Sequence, residues 1–243
     1  VDHPWFVFGN FNHLILEKFF KYIIYFKNRN REYDKKNLMH RAFNNALKKQ
    51  SRLSQIGKAT KLNQTQIDDT KTIIKNFFNK VSDNEPDVAY VEKEISLDFG
   101  DGVTLIGYID RVDKVGDRAY RIVDYKTSKA AYKIDKNIQL DIYAIGLKKA
   151  LKDDNLKIYK QLDFIKTGKA TSPNAEHDNS TDESIMSEIK TQSLEMKSKK
   201  ELYSGDRTQW EPIKNKYCFN CDFLQTCNRD KRMDGGMDNM FEE

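Results

Sequence analysis

"GYIDRVDKVGDRAYRIVDYKTSK", residues 107–129, reads as two β-strands around a Gly-Asp turn, and its alternation decides the fold. Pairing Val115 with Ala119 across a three-residue loop, Gly116-Asp117-Arg118, sets Asp110 opposite Asp124 and Tyr108 opposite Lys126. Strand alternation then gathers Ile106, Tyr108, Asp110 and Val112 on one face with Ile122, Asp124 and Lys126. Two carboxylates about 5 Å apart repel each other and resist desolvation unless a cation lies between them, which points to a divalent metal with oxygen ligands. Lys126, two residues beyond Asp124, points to the same side and can orient a water or stabilise negative charge on an attacked phosphate. The same spacing also suits a surface ion pair of Asp124 with Lys126 beside a solvated Asp110.

The flanking segments supply the context. Upstream, Phe11, Ile15, Phe19, Tyr22 and Phe26 recur at three- and four-residue steps, the pattern of a buried helix. His13, Glu17 and Lys21 lie on one line of that helix. Residues 37–79 continue in helical spacing, the last piece with an apolar stripe of Ile67, Ile73, Ile74, Phe77 and Phe78, and Ser-Asp-Asn-Glu-Pro at 82–86 ends it. Strands are predicted at 88–98, 104–115 and 120–127, a helix over 135–151 and another strand within 159–168. "ATSPNAEHDNSTDES", 170–184, has no periodicity and reads as an exposed loop, and 183–203 reads as an exposed charged helix. Helices, a mostly antiparallel sheet, then a helix and a strand give an α/β sandwich. We expect one domain over 1–243, with a helical part at 9–80, a sheet and helix at 88–168, and a C-terminal helix with a cysteine region at 183–230.

The bulk numbers are compatible with this. The 243 residues suffice for one large core, with 38% apolar and 33% charged residues. Lys and Arg outnumber Asp and Glu by 42 to 37, a net charge of +5 that suits nucleic acid without establishing it. The sequence contains no stretch of the roughly 18 apolar residues needed for a membrane span and no signal-peptide pattern, so a cytoplasmic location is expected. The three cysteines cluster near the C-terminus, which favours a metal or cluster over a disulfide framework.

Four stretches together, "GNFNHLILE" at 9–17, "GYIDRVD" at 107–113, "IVDYKTSK" at 122–129 and "QLDIY" at 139–143, resemble the RecB-like branch of the PD-(D/E)XK nucleases. The resemblance runs in order over residues 9–227. It implies a restriction-endonuclease-like fold, a mixed central sheet flanked by helices, and metal-dependent DNA exonuclease activity in recombination, repair or CRISPR adaptation. By the same resemblance His13 is a metal-binding histidine from the first helix. Asp110 takes the "PD" position, with Ile109 where the motif has proline, and Asp124 and Lys126 form the (D/E)-x-K pair. The Tyr125 carbonyl completes the metal shell, and Gln139 with Tyr143 matches Q-x-x-x-Y, a pair implied to position the DNA strand and the lysine. The implied metals are Mg²⁺ or Mn²⁺, which imidazole and carboxylates also suit. Read from residues alone, His13 also fits a packed core histidine, Glu17 a partner of Lys21, and Gln139 with Tyr143 a satisfied helix-face pair.

"CFNCDFLQTC" spaces Cys218, Cys221 and Cys227 as C-x2-C-x5-C, suited to zinc or to an iron–sulfur cluster. It resembles the C-terminal part of the four-cysteine [4Fe-4S] site of RecB-like nucleases, whose first cysteine lies upstream of the histidine motif. This sequence has no such cysteine, and truncation ahead of "VDHPWF" is the expectation. Zinc with His177 or His40 as fourth ligand is the rival. The expected substrate is DNA with single-stranded character or an end, and the expected partner a helicase, integrase or recombination protein. A non-catalytic nuclease-fold subunit of a larger helicase-nuclease or integration complex is the alternative.

Overall fold

The computed structural model describes residues 4–128, 134, 137–201, 218 and 221. Helix α1, Pro4–Lys27, begins on a proline, which lacks only an N–H that the first turn leaves unpaired anyway. It buries Phe11, Ile15, Leu16, Phe19, Phe20 and Ile23. The helical pattern that follows divides into α2, Lys35–Gln55, and α3, Gln64–Asp83. Each has its own start signal. Asp34 accepts hydrogen bonds from the Lys36 and Asn37 N–H groups, and Asn63 with Gln66 forms a reciprocal capping box.

Strands β1, Val88–Gly100, β2, Val103–Gly116, and β3, Ala119–Lys126, follow as an antiparallel meander. Helix α4, Ile138–Leu151, then crosses over to β4, Lys157–Phe164, which pairs parallel to β3. The sheet is therefore mixed, in the order β1-β2-β3-β4-β5, with β6 also on β4. The short strands β5, Lys169–Ala170, and β6, Ala175–Glu176, both lie antiparallel to β4. Helices α1 to α3 pack with Val123 and Tyr125 on one face, and α4 packs with Ile109, Val112, Ile122 and Leu162 on the other. This is an α/β fold with helices on both sides of a mixed sheet, consistent with a restriction-endonuclease-like architecture.

Three details differ from the sequence reading. The β2–β3 turn is shorter than expected: Gly116 pairs with Ala119 through an irregularity after Lys114, leaving Asp117 and Arg118 as the loop, with Arg118 left-handed at φ 50°. Residues 170–184 are not a bare loop. They hold β6, a 3-10 turn at Asn179–Thr181 and the buried His177 before α5, Asp182–Glu201, and strands of two residues are too short to leave a period. The face assignment on β2 also changes. Gly107 and Ile109 face α4, yet so does Val112, three residues on, where strict alternation requires an even step. On β1, Ile95 and Tyr90 both contact that α4 core although five residues apart. The register stays constant across this region, from Lys93↔Ile109 to Val91↔Arg111. Both strands therefore reverse face together at Glu92 and Asp110, and Glu92 is left-handed at φ 50°. Consequently Ile106 and Tyr108 point away from α4 and are exposed, while Val112 and Ile122 are buried against it.

The chain divides into two compact units, residues 1–187 and 188–243, the division falling within α5. Helix α5 buries no residue. Cys218 and Cys221 are described, and the Cys221 N–H donates to the Cys218 carbonyl at 3.1 Å. Cys227, the third residue of that expected metal module, lies outside the described residues. No helix among the described residues is long and apolar enough to cross a membrane.

Candidate active site

The β2–β3 ladder runs from Gly116↔Ala119 to Arg111↔Val123, the register that brings Asp110 level with Asp124. There it stops. Instead of continuing the ladder, Asp110 Oδ2 accepts the Tyr125 N–H at 2.7 Å, so the carboxylate occupies the opening between the two strands. The other oxygen, Oδ1, lies 3.2 Å from His13 Nδ1 on α1. Tyr125 is anchored beneath: its hydroxyl accepts from Arg111 Nη1 at 2.8 Å, and its ring meets His13 and Phe77 edge-on. Arg111 is in turn held by Asp113 through Nε at 2.8 Å and Nη2 at 3.1 Å, a buried two-point pair. Burial pushes the Asp113 carboxyl up, against the lowering effect of Arg111.

On the other side of the opening Lys126 Nζ stands 2.7 Å from Asp124 Oδ2 and 3.2 Å from Gln139 Oε1. Gln139 Nε2 donates to the Tyr143 hydroxyl at 2.8 Å, completing a relay from α4 to the lysine. Tyr108, expected opposite Lys126, is not its partner, because β3 has left β2 by this point. The Tyr143 ring lies close against Gly107, where an added Cβ would come within 3.0 Å of it. The sheet end thus joins His13 from α1, Asp110 from β2, Asp124, Tyr125 and Lys126 from β3, and Gln139 and Tyr143 from α4. Glu17 forms an exposed pair with Lys21 at 2.6 Å.

One acid was not anticipated. Glu92 faces Asp110 across the β1–β2 pair and lines the same cleft as His13, Glu17 and Asp110. Pairing β1 to β2 across "GDG" at 100–102 would have found it, since that register sets residue 92 against 110.

The electrostatics are those of crowded acids. Burial, then the charges of Asp110 and Glu17, push Glu92 up to about 6. Burial and the Asp110 charge hold Asp124 above the usual carboxylate range despite Lys126. For His13 burial acts downward, but the Asp110 hydrogen bond and the charges of Asp110, Asp124 and Glu92 outweigh it and the imidazole is raised. Asp124 Oδ2 is buried, with the Lys126 ammonium 2.7 Å away. Repelling carboxylates and an imidazole form a donor set that suits a hard divalent cation. In this side-chain arrangement no three His, Cys, Asp or Glu groups among the described residues converge on one point. His13 is bonded to Asp110 instead.

His177, one candidate zinc ligand, is committed elsewhere. Its Nδ1 lies 2.9 Å from Asp141 Oδ1 and its Nε2 2.5 Å from Asp182 Oδ1, so both nitrogens are engaged between α4 and the start of α5. His40 is exposed on α2, in a groove with Met39 and Phe43.

The profile of the PD-(D/E)XK nuclease superfamily matches residues 2–228. The chain belongs to the PD-(D/E)XK nuclease superfamily. No curated protein matches its sequence. Nucleases of this superfamily are phosphodiester hydrolases and generally use Mg²⁺ or Mn²⁺, which agrees with the donor chemistry above. In this chain Asp110 and Asp124 stand where the strands part, flanked by Lys126, which is tied to α4.

Proposed function

We propose that the protein is a metal-dependent DNA nuclease, acting as an exonuclease on ends or single strands in recombination, repair or CRISPR adaptation. The observation that carries this reading is the junction of Asp110, Asp124 and Lys126 at the split of β2 from β3, with His13 on one side and Gln139 on the other.

Asp110, Asp124, His13 and the Tyr125 carbonyl would hold Mg²⁺ or Mn²⁺. Such an ion, when bound, polarises the scissile phosphate and lowers the pKa of water. The chain's own groups do the rest. The Tyr125 N–H fixes Asp110, while Gln139 fixes Lys126 beside Asp124. From there the ammonium can steady the attacking water or the charge building on the phosphate. Tyr143 sets the orientation of the Gln139 amide.

Changing Lys126 to Ala is expected to abolish cleavage of labelled single-stranded DNA in Mn²⁺ while a gel-shift assay still shows binding. Undiminished cleavage by that variant contradicts the mechanism.

We further propose that Cys218, Cys221 and Cys227 hold a [4Fe-4S] cluster. The C-x2-C-x5-C spacing supports this reading, and the Cys221 N–H bond to the Cys218 carbonyl turns the chain between the first two cysteines. Anaerobically purified protein should then be brown, with a broad band near 400 nm. A colourless protein with stoichiometric zinc contradicts the cluster.

A further inference from the structure

The nuclease reading leaves one part of the cleft without a role. The cleft, of about 380 Å³, contains not only His13, Glu92 and Asp110 but also Tyr108, Lys49 and Lys58. Because the strands reverse face at Glu92 and Asp110, the β2 residues leading to the site present their side chains outward. Ile106 is 58% and Tyr108 51% exposed, at successive outward positions before Asp110. The Tyr108 hydroxyl donates to Glu94 Oε2 at 3.0 Å, which holds the ring in place on the strand. A fixed, half-exposed aromatic ring beside a cluster of acids is not explained by packing.

Across the cleft, Lys49 near the end of α2 and Lys58 in the turn after it are both exposed. Neither makes an ion pair among the described residues, whereas Lys21, Lys27 and Lys35 each have a glutamate. Two unneutralised ammonium groups thus face the wall that carries the aromatic ring and the acids. This is the pairing of groups that grips a single nucleic-acid strand: cations for the backbone and a π-face for a base, with no demand on sequence. A volume of about 380 Å³ is in the range of small-molecule pockets, room for a nucleotide or two of a flexible single strand.

Building on the nuclease reading, we propose that this cleft is a single-strand subsite, with Tyr108 as a base-stacking platform and Lys49 and Lys58 as phosphate contacts that feed the strand to Asp110. The substrate class is then single-stranded DNA or a frayed end, held in the cleft that Asp110 lines.

The test is fluorescence anisotropy of a labelled oligo(dT) with the full chain in EDTA, where cleavage does not interfere. Tyr108→Ala should weaken binding about tenfold, within the roughly 1–3 kcal/mol per stacked base. Tyr108→Phe keeps the stacking ring and loses the Glu94 bond that fixes it, and should bind more weakly than wild type but clearly better than Tyr108→Ala. Lys49→Ala with Lys58→Ala should reduce the slope of log affinity against log salt by about 1.4, at roughly 0.7 per phosphate contact on a single strand. The proposal is overturned if Tyr108→Ala and the double-lysine variant keep wild-type affinity and slope, if a duplex of equal length competes better than the single strand, or if the wild type binds no strand at all. A wild-type protein that binds as described but cleaves nothing in Mn²⁺ would contradict the nuclease reading instead, and leave the subsite standing.

Discussion

Glu92 has a left-handed backbone in the middle of a strand, at φ 50°. A non-glycine residue there costs about 1–2 kcal/mol, a strain that tends to persist where function needs the resulting geometry. Glu92→Gly and Glu92→Ala both remove the carboxylate, but only glycine relieves the backbone. The glycine variant is expected to be more stable than the alanine variant by about 1–2 kcal/mol in urea unfolding, with both less active than wild type. At this scale the sequence was informative about Asp110, Asp124 and Lys126, because charges interrupting an alternating apolar pattern stand out. Glu92 stood out less because "YVEKEIS" contains two glutamates, Glu92 and Glu94, which only the β1–β2 register separates, Glu94 falling opposite Tyr108 and Glu92 opposite Asp110.

Among the elements, α4 carries the tightest constraint. A Cβ at Gly146 would collide with Ile95 Cδ1 and come within 2.8 Å of its Cβ, so the helix packs on β1 with no room for a methyl group. Gly146→Ala gains about 1 kcal/mol of helix propensity against an overpacking cost of about 1–3 kcal/mol. Net destabilisation is the expected outcome, and a chemical-denaturation midpoint checks it. The first turn of α4 is held by His177, whose replacement by Ala removes the partner that Asp141 and Asp182 share. Because Lys160 still pairs with Asp141 and Lys148 with Asp182, a loss of about 1–3 kcal/mol from the missing hydrogen bonds is expected, with early hydrogen exchange in α4 as its local signature. No periodic signal marks this region, because two-residue strands have none. The helices and long strands were legible, by contrast, since each repeats its apolar spacing over several turns or alternations.

For the whole molecule, pH reports how the charges are distributed. Asp141 and Glu85 are both lowered overall: burial raises each, but His177 and Lys160 outweigh it for Asp141, and Lys27, Tyr33 and Lys35 for Glu85. A depressed folded-state pKa stabilises above the unfolded value, about 4 for these side chains, and this contribution is lost as pH falls through the folded value. The site acids have the opposite sign: Glu92 and Asp124 are raised, so their ionisation penalises the fold and acidification relieves that penalty. Thermal unfolding followed from pH 7 to pH 3 should therefore show a smaller loss of stability in Asp141→Asn with Glu85→Gln than in wild type. An unchanged profile in that double variant contradicts the assignment. The mixed topology was only partly readable: the meander follows from its turns, whereas the parallel β3–β4 pair depends on α4 packing back over the sheet, a long-range contact without a local signal.

The central claim is that the acids at the split of β2 and β3 cleave DNA with a divalent metal, and Asp124 tests it most directly. An end-labelled single-stranded oligonucleotide is incubated with wild type or Asp124→Asn, in Mn²⁺ or in EDTA, and the products are resolved by gel. Wild type should degrade the strand in Mn²⁺ and leave it intact in EDTA, and Asp124→Asn should be slower by at least about 100-fold while keeping its thermal stability. Degradation at the wild-type rate by Asp124→Asn, or an intact strand with wild type in Mn²⁺, would contradict the account.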